Sequence, residues 1–254
     1  MRHSGLHLVI AHPEIKQVEN IISFNWEAIK DPQKLIEQIE KHLLESELKI
    51  TQARKVHWVF CFSKFSLVPN SLFNERKSHA MLAFTARQNS SEVYYHQAWE
   101  GQDIMQMYLL PLPLVHWLES MNERSSFSQL GHSLNWISQQ TKDDRNLCHL
   151  HLFEEQMCLM LRKEGELVFY NQFDVKAVED IVYYVLFALE NLQILGREVQ
   201  LKISGDFAQQ DKVKQLLANY LSKVENLSLP KGIGASGSIS TQQLRNVAHL
   251  YAYI

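Results

Sequence analysis

The residues with the clearest chemical potential are Gly205 and Asp206, which end an apolar segment in the sequence Ile203-Ser204-Gly205-Asp206. A glycine in such a turn lets backbone amides approach a phosphate, and an aspartate can orient a hydrated Mg²⁺ ion. If a nucleotide binds, we expect Gly205 and Asp206 to contact it. The alternative is a structural turn, in which Gly205 lets the chain bend sharply and Asp206 caps the next helix.

Two histidines, His149 and His151, alternate within a predicted strand, Leu147–Phe153. Side chains two residues apart lie on the same face of a strand, so the two imidazoles have a spacing that is compatible with one metal ion. The alternative interpretation is an ordinary, half-exposed strand face, and it is the one we adopt. We therefore predict no metal site and no catalytic residue.

The elements that must position these residues are clear in the C-terminal half of the chain. Three predicted strands are followed by a long amphipathic helix, an apolar strand that ends at Gly205 and a second amphipathic helix. We expect Asp174 to cap the first helix and Gly196 to end it in a left-handed conformation. The order β-β-β-α-β-α is the half-unit of the ribonuclease H-like and actin-like folds. The strands are Leu147–Phe153, Gln156–Arg162, Glu166–Tyr170 and Val199–Ile203.

The N-terminal half also alternates strands and helices, which predicts an α/β protein of two lobes with mixed sheets flanked by helices. A hairpin is followed by a helix that Asp31-Pro32 opens, a buried strand and a second hairpin, Glu92–Leu109. We predict a loop over Asn122–Ser126. The polar residues 142–146 are the predicted linker between an N-terminal lobe, residues 1–141, and a C-terminal lobe, residues 147–254.

Composition excludes several classes of protein. With 25 Lys and Arg against 28 Asp and Glu, the net charge is −3, so no nucleic-acid partner is expected. The three cysteines form no C-x-x-C pair, which argues against a disulfide framework and a cysteine zinc site. The N-terminus lacks the pattern of a signal peptide, and no apolar window reaches the length of about 20 residues needed to span a membrane. These features predict a cytoplasmic protein.

Two segments resemble a bacterial family, domain of unknown function 3822. Phe65-Ser66-Leu67-Val68-Pro69 with Leu72-Phe73 is similar to its F-x-L-V-P-x-x-L-F segment, and Phe169-Tyr170-Asn171-Gln172-Phe173 with Glu179–Tyr184 is similar to a second block. The resemblance runs from Leu6 to Val224. It implies an actin-like ATPase fold and no particular activity. The same architecture resembles pilus-assembly and secretion-platform relatives of actin, which act largely through protein contacts.

The resemblance also implies where phosphate chemistry should lie. Actin-like ATPases hold phosphates with two glycine-containing turns, one in each lobe. The corresponding turns here are Ala11-His12-Pro13-Glu14 and Phe153-Glu154-Glu155-Gln156, and neither contains a glycine. Pro13 removes an amide donor, and the two glutamates would repel a phosphate unless a metal intervened. Because only Gly205-Asp206 partly matches a nucleotide motif, we expect neither ATP nor Mg²⁺, and we favour a protein without enzymatic activity.

Two further patterns have chemical alternatives. Ribonuclease H-type chemistry needs carboxylates on the first strand, the helix and the fourth strand. Asp206, Glu179 and Asp180 supply the last two, but the first strand offers histidines instead of an acid. The glycine-rich segment Gly232–Gly237 matches G-x-G-x-x-G, yet too few residues follow it for a dinucleotide-binding unit. We predict a flexible loop there.

The sequence thus favours a non-catalytic scaffold or protein-interaction module with a degenerate actin-like ATPase fold. A nucleotide-binding switch that uses the cleft between the lobes is the alternative, and a metal-dependent nuclease is a minor one. We expect a protein partner of unknown identity. Candidate partner surfaces are Phe65–Phe73 and the second hairpin with its aromatics Tyr94, Tyr95, Trp99 and Tyr108, whose alternative role is packing. The pair Tyr183-Tyr184 is expected to pack in the core or at the interface between the lobes.

Overall fold

A computed structural model describes residues 1–140 and 146–254 of the chain. Its strands are β1 (Gly5–His12), β2 (Gln17–Asn25), β3 (Val56–Phe60), β4 (Phe65–Pro69), β5 (Glu92–Ala98), β6 (Ile104–Pro111), β7 (Ser125–Gln129), β8 (Asn146–Leu152), β9 (Gln156–Lys163), β10 (Glu166–Asp174), β11 (Val199–Gly205), β12 (Lys223–Asn226) and β13 (Gly234–Ala235). Its α-helices are α1 (Pro32–Glu45), α2 (Ser78–Leu82), α3 (Leu112–Met121), α4 (Leu130–Gln139), α5 (Val178–Asn191), α6 (Gln210–Leu217) and α7 (Thr241–Asn246). None of these described helices has the length and apolar character needed to cross a membrane.

Contacts between Cα atoms divide the chain into two compact units. Unit 1 comprises Met1–Leu8, Ile22–His132 and Tyr253, and unit 2 comprises Val9–Ile21, Ser133–Ala252 and Ile254. The predicted linker, residues 142–146, lies outside the described residues except for Asn146, which begins β8.

The central feature of unit 2 is a five-stranded mixed sheet with the order β10-β9-β8-β11-β12. Strands β8, β9 and β10 are antiparallel neighbours, whereas β11 is parallel to both β8 and β12. The buried stripe of α5, which includes Ile181 and Val185, and that of α6, which includes Val213 and Leu217, belong to the same core as this sheet. The predicted order β-β-β-α-β-α is therefore confirmed.

The ends of α5 differ from the prediction. Asp174 is the last residue of β10 and does not cap the helix, because the chain bends at residues 176–177 and the helix begins only at Val178. The Asp180 carboxylate accepts hydrogen bonds from the backbone amides of Lys176 and Ala177, at 2.8 and 3.0 Å, and so performs the capping role.

Gly196 does not end the helix in a left-handed conformation, since Gln193 has the positive φ of 55° instead. Glycine is needed at position 196 because a Cβ atom there would lie 2.3 Å from the carbonyl oxygen of Tyr220. The close approach of two backbone segments, rather than a helix end, accounts for this residue.

Unit 1 contains a three-stranded antiparallel sheet with the order β4-β6-β5 and a parallel pair, β3-β7. The predicted loop over Asn122–Ser126 is wrong at its end, because β7 begins at Ser125 and pairs with β3. Helix α1 begins as predicted, with the Asp31 carboxylate accepting a hydrogen bond from the Lys34 amide at 2.9 Å.

Two of the four aromatic residues of the second hairpin are buried, whereas Tyr94 and Tyr95 are partly exposed. Trp99 and Tyr108 are 1% and 2% exposed. The Trp99 indole donates to Gln106 at 2.9 Å, and the Gln106 amide donates to Gln129 at 2.6 Å, so this hairpin is tied into the buried part of unit 1. Trp99 and Tyr108 therefore take the packing role that was the alternative to a partner surface.

Candidate functional site

Gly205 ends β11 in a backbone conformation that favours glycine. Its φ is +99°, and it lies opposite Leu152, the last residue of β8, with no room for a side chain between the two strands. This arrangement accounts for the glycine by strand geometry alone. It also aligns the carboxyl ends of β8 and β11 at the same end of the sheet, where the two loops that follow these strands meet.

A cleft of about 490 Å³ lies at these strand ends and is formed wholly by unit 2. Asp206 and Glu154 both line it, although 52 positions separate them in the sequence, so the structure brings together the predicted nucleotide-site aspartate and the predicted phosphate turn. Asp206 is not a helix cap, because α6 begins at Gln210 with Gln209 as the preceding cap residue. The lining residues are Glu154, Asp206, Phe207, Ala208, Gln210, Asp211, Lys214, Asn226, Gln242 and Asn246.

The polar groups of the cleft already bind one another. The Glu154 carboxylate accepts a hydrogen bond from the Ala208 backbone amide at 3.1 Å, and the Lys214 ammonium donates to the Asp211 carboxylate at 2.6 Å. The Lys214 hydrogen bond and charge lower the pKa of the Asp211 carboxyl. With Asp206, three carboxylates and one lysine line the cleft, which therefore carries negative charge.

The other predicted phosphate turn follows β1, which ends at His12. The His12 imidazole lies 3.2 Å from the Glu19 carboxylate on β2, and both side chains are more than half exposed. Pro13 and Glu14 are also exposed. In this turn, as in that of Glu154, a carboxylate rather than a glycine stands beside the strand ends.

Two members of the cleft come from a part of the chain that the sequence did not associate with it. Gln242 and Asn246 lie on α7, whose start is fixed by a capping box between Ser240 and Gln243. With its amide oriented to satisfy its neighbours, Asn246 donates to the Gly205 carbonyl at 2.8 Å. The capping box identifies the helix in the sequence, but nothing local indicates that it packs against the end of β11.

His149 and His151 are buried, at 2% and 0% exposure, so the half-exposed strand face expected for them is wrong. His149 Nε2 lies 2.9 Å and His151 Nδ1 lies 2.7 Å from the Ser204 hydroxyl oxygen on β11. A hydroxyl has one proton and two lone pairs, so this single group can form a hydrogen bond with one nitrogen of each ring. Burial, with the nearby charge of Arg162, lowers the pKa of His149 to about 4. The two rings thus tie β8 to β11, and His149 does so in its neutral form.

The remaining carboxylates of the nuclease alternative lie elsewhere. Glu179 is exposed and pairs with Lys212 at 3.2 Å, while Asp180 is occupied by the backbone amides before α5. Neither residue lines the cleft that contains Asp206. Within residues 1–140 and 146–254, no three His, Cys, Asp or Glu side chains are arranged to hold a metal ion.

Comparison with known proteins identifies the family and the fold. Residues 1–224 match the family described as protein of unknown function (DUF3822). A Bacteroides thetaiotaomicron protein with an actin-like ATPase fold and unknown function has a similar structure, with a TM-score of 0.76 at 13% identity over 97% of this chain and 93% of that one. A search of curated proteins finds no match.

A second similar structure is the PilM–PilN type IV pilus biogenesis complex. Its matching chain has a TM-score of 0.63 at 12% identity over 99% of this chain and 94% of that one. At such low identity the two structures establish shared architecture and nothing about activity. The chain belongs to the DUF3822 family and has an actin-like ATPase fold.

Proposed function

We propose that this protein is a non-catalytic scaffold or protein-interaction module of the cytoplasm, with an actin-like ATPase fold whose phosphate turns are degenerate. The observation that carries the proposal is the hydrogen bond from the Ala208 backbone amide to the Glu154 carboxylate. A carboxylate of the chain itself thus takes up an amide donor in the loop after β11. A phosphate that approached this amide would have to displace Glu154.

The charge of the cleft supports the same conclusion. Glu154, Asp206 and Asp211 are like-charged with a triphosphate, and Lys214 is already paired with Asp211. A nucleotide would therefore meet electrostatic repulsion without an unpaired cation from this cleft to offset it. Both the donors and the charges favour a protein that keeps the fold without nucleotide chemistry.

The similarity to the PilM–PilN complex supports the interaction part of the proposal. That structure contains two proteins of type IV pilus biogenesis bound to each other, so this architecture can serve to bind a protein partner. A nucleotide-binding switch remains the alternative function, because Asp206 lines a cleft of about 490 Å³ at the strand ends. No arrangement of the described residues favours the nuclease alternative.

Thermal unfolding with and without Mg-ATP separates the two functions. A ligand at 100 times its Kd stabilises the native state by about 2.7 kcal/mol, which is readily measured as a rise in Tm. We expect no rise with millimolar Mg-ATP for the intact chain. The Tm of Asp206→Ala, in the cleft, and that of Asp103→Ala, on an exposed hairpin of unit 1, should likewise not rise with Mg-ATP.

A rise in Tm that Lys214→Ala or Asp206→Ala abolishes, and that Asp103→Ala leaves intact, would contradict the proposal and establish the nucleotide switch. Gly205 is unsuitable for this test, because any side chain there collides with Leu152. The interaction itself is tested by cross-linking the tagged, full-length protein in its native host. A stoichiometric protein partner is the expected result, and recovery of the chain alone speaks against the proposal.

A further inference from the structure

Five aromatic side chains of unit 2 form a continuous surface, which we name the aromatic strip. It runs from β10 across α5 in the spatial order Phe169, Phe173, Tyr184, Tyr183 and Phe187. The centroids of successive rings in this order are 6.4, 4.3, 5.4 and 5.6 Å apart. Such spacings are those of rings in direct contact.

One end of the strip is anchored and the other is open to solvent. Phe169, Phe173 and Tyr184 pack partly against the core of unit 2. Tyr183 and Phe187, one helical turn apart on α5, are 58% and 50% exposed. The expectation of core packing is thus wrong for Tyr183, since the buried stripe of α5 lies on the opposite side of the helix. Stacked, exposed aromatics of this kind mark interaction sites.

The strip borders the edge of a β-sheet. Strand β10 is the last strand of the five-stranded sheet, and no strand among the described residues pairs with its outer edge. In an antiparallel pair, alternate residues direct their N–H and C=O groups away from the partner strand. Eight residues of β10 are in register with β9, interrupted by one bulge between Leu167 and Phe169. The outer edge of β10 therefore presents backbone donors and acceptors, and it belongs to the strand that carries Phe169 and Phe173 of the strip.

The charge around this surface selects the kind of partner. Residues 163–191, which contain β10 and α5, carry six carboxylates and two lysines, whereas the whole chain has a net charge of only −3. The acidic residues flank the strip at both ends, with Glu166 at the start of β10, Asp174 at its end and Glu190 near the end of α5. This distribution attracts a basic segment and repels a second copy of the same surface.

We propose that the edge of β10 and the aromatic strip together bind an extended segment of a partner protein that carries Lys or Arg. The segment adds a strand to β10 through backbone hydrogen bonds, and its alternate basic side chains lie over the exposed rings of Tyr183 and Phe187. The inference rests on the proposed interaction function and identifies its surface and the chemistry of its partner.

Selection from a random-peptide phage library on the full-length protein tests this inference. Selected peptides should alternate apolar residues with Lys or Arg. A synthetic copy should bind more weakly as salt concentration rises, and it should slow hydrogen exchange at the amides of β10. Tyr183→Ala and Phe187→Ala should each weaken binding by about tenfold. Tyr220→Ala removes a similarly exposed tyrosine, 56% exposed and outside the strip, and should leave binding unchanged.

A charge variant provides an independent readout, since Glu166→Lys with Glu190→Lys should also weaken binding of the basic peptide while far-UV circular dichroism stays unchanged. The inference is overturned if no peptide is enriched, if enriched peptides are acidic, or if exchange slows only outside β10. A dimer in sedimentation that Tyr183→Ala dissociates would assign the strip to a second copy and overturn it too. None of these outcomes contradicts the proposed function. That proposal is contradicted only by nucleotide binding in the cleft or by the absence of any partner.

Discussion

A Cβ atom on Gly205 would lie 2.1 Å from the carbonyl oxygen of Leu152, its neighbour on β8. No real Cβ contact is that short, so the end of β11 and the end of β8 can meet only if position 205 is a glycine. The positive φ of +99° adds a second requirement for the same residue. The alignment of the two strand ends beside the cleft therefore depends on this one contact.

Gly205→Ala should destabilise the protein by about 3 kcal/mol or more, because it combines a backbone clash with an unfavourable φ. Denaturation midpoints of a graded series test this. Gly165→Ala, with a φ of +85° and no atom within 4 Å, should cost about 1 kcal/mol from backbone strain alone. Gly237→Ala, with neither feature, should change stability by less than about 0.5 kcal/mol. Equal costs at all three positions would contradict the explanation.

Ser204→Ala should destabilise the protein by about 1–3 kcal/mol, because it removes the hydroxyl that both buried imidazoles contact. The cavity left by one oxygen is small, so the loss of hydrogen bonds dominates. Urea unfolding monitored by circular dichroism measures the change. Ser90→Ala, on an exposed loop, is the matched control and should be neutral within about 0.5 kcal/mol.

Stability should fall as the pH drops from about 6.5 to about 4. Burial lowers the pKa of His149 to about 4 in the folded state, whereas an unfolded histidine titrates near its ordinary value of 6.5. As the pH falls, the unfolded state therefore binds a proton first, and acid favours unfolding. The contribution of neutral, buried His149 to the free energy of unfolding is fully present above pH 6.5 and is lost as the pH falls through about 4. For this residue alone the loss is on the order of 3 kcal/mol.

Free energies of unfolding measured at pH 7, 5.5 and 4.5 test the acid sensitivity. His149→Gln should reduce the dependence on pH in this range, while His12→Gln, which alters an exposed side chain, should retain it. Burial also lowers the pKa of His57 in unit 1 to about 4, so some dependence should persist in the His149 variant. A flat profile for the intact chain would show that these histidines take up protons at the same pH in the folded and the unfolded state, which contradicts the prediction.

Arg162→Met should destabilise unit 2 by about 3 kcal/mol. Arg162 is only 4% exposed. Its guanidinium donates hydrogen bonds to the Ser138 hydroxyl at 2.8 Å, to the Gly165 carbonyl at 2.7 Å and to the Asn135 side chain. Methionine keeps the aliphatic packing and removes all three hydrogen bonds. Thermal unfolding measures the change, and Arg87→Met, at an exposed position, should be neutral.

Elements with strong local signals could be predicted from the sequence. The apolar spacing of α5 and α6 identifies these helices of unit 2, because one-sided burial imposes a period on a helix. Strands β8, β9 and β11 are buried on both faces, so their signal is a short, largely apolar run. Strand β7 gave no such signal, since Ser125, Ser126 and Ser128 are polar. It is a strand because its backbone pairs with β3, about 70 positions earlier, and only long-range pairing reveals that.

Residue types and local elements were determined by the sequence itself: a glycine at the end of β11, carboxylates in place of phosphate-turn glycines, and aromatics along β10 and α5. Which of these residues meet was decided by the tertiary structure alone. Glu154 reaches the Ala208 amide, 54 positions away, because β8 and β11 are adjacent and parallel. Tyr183 is exposed because Ile181 and Val185 face the sheet. Contacts and exposure follow from strand order and helix packing, which no local pattern specifies.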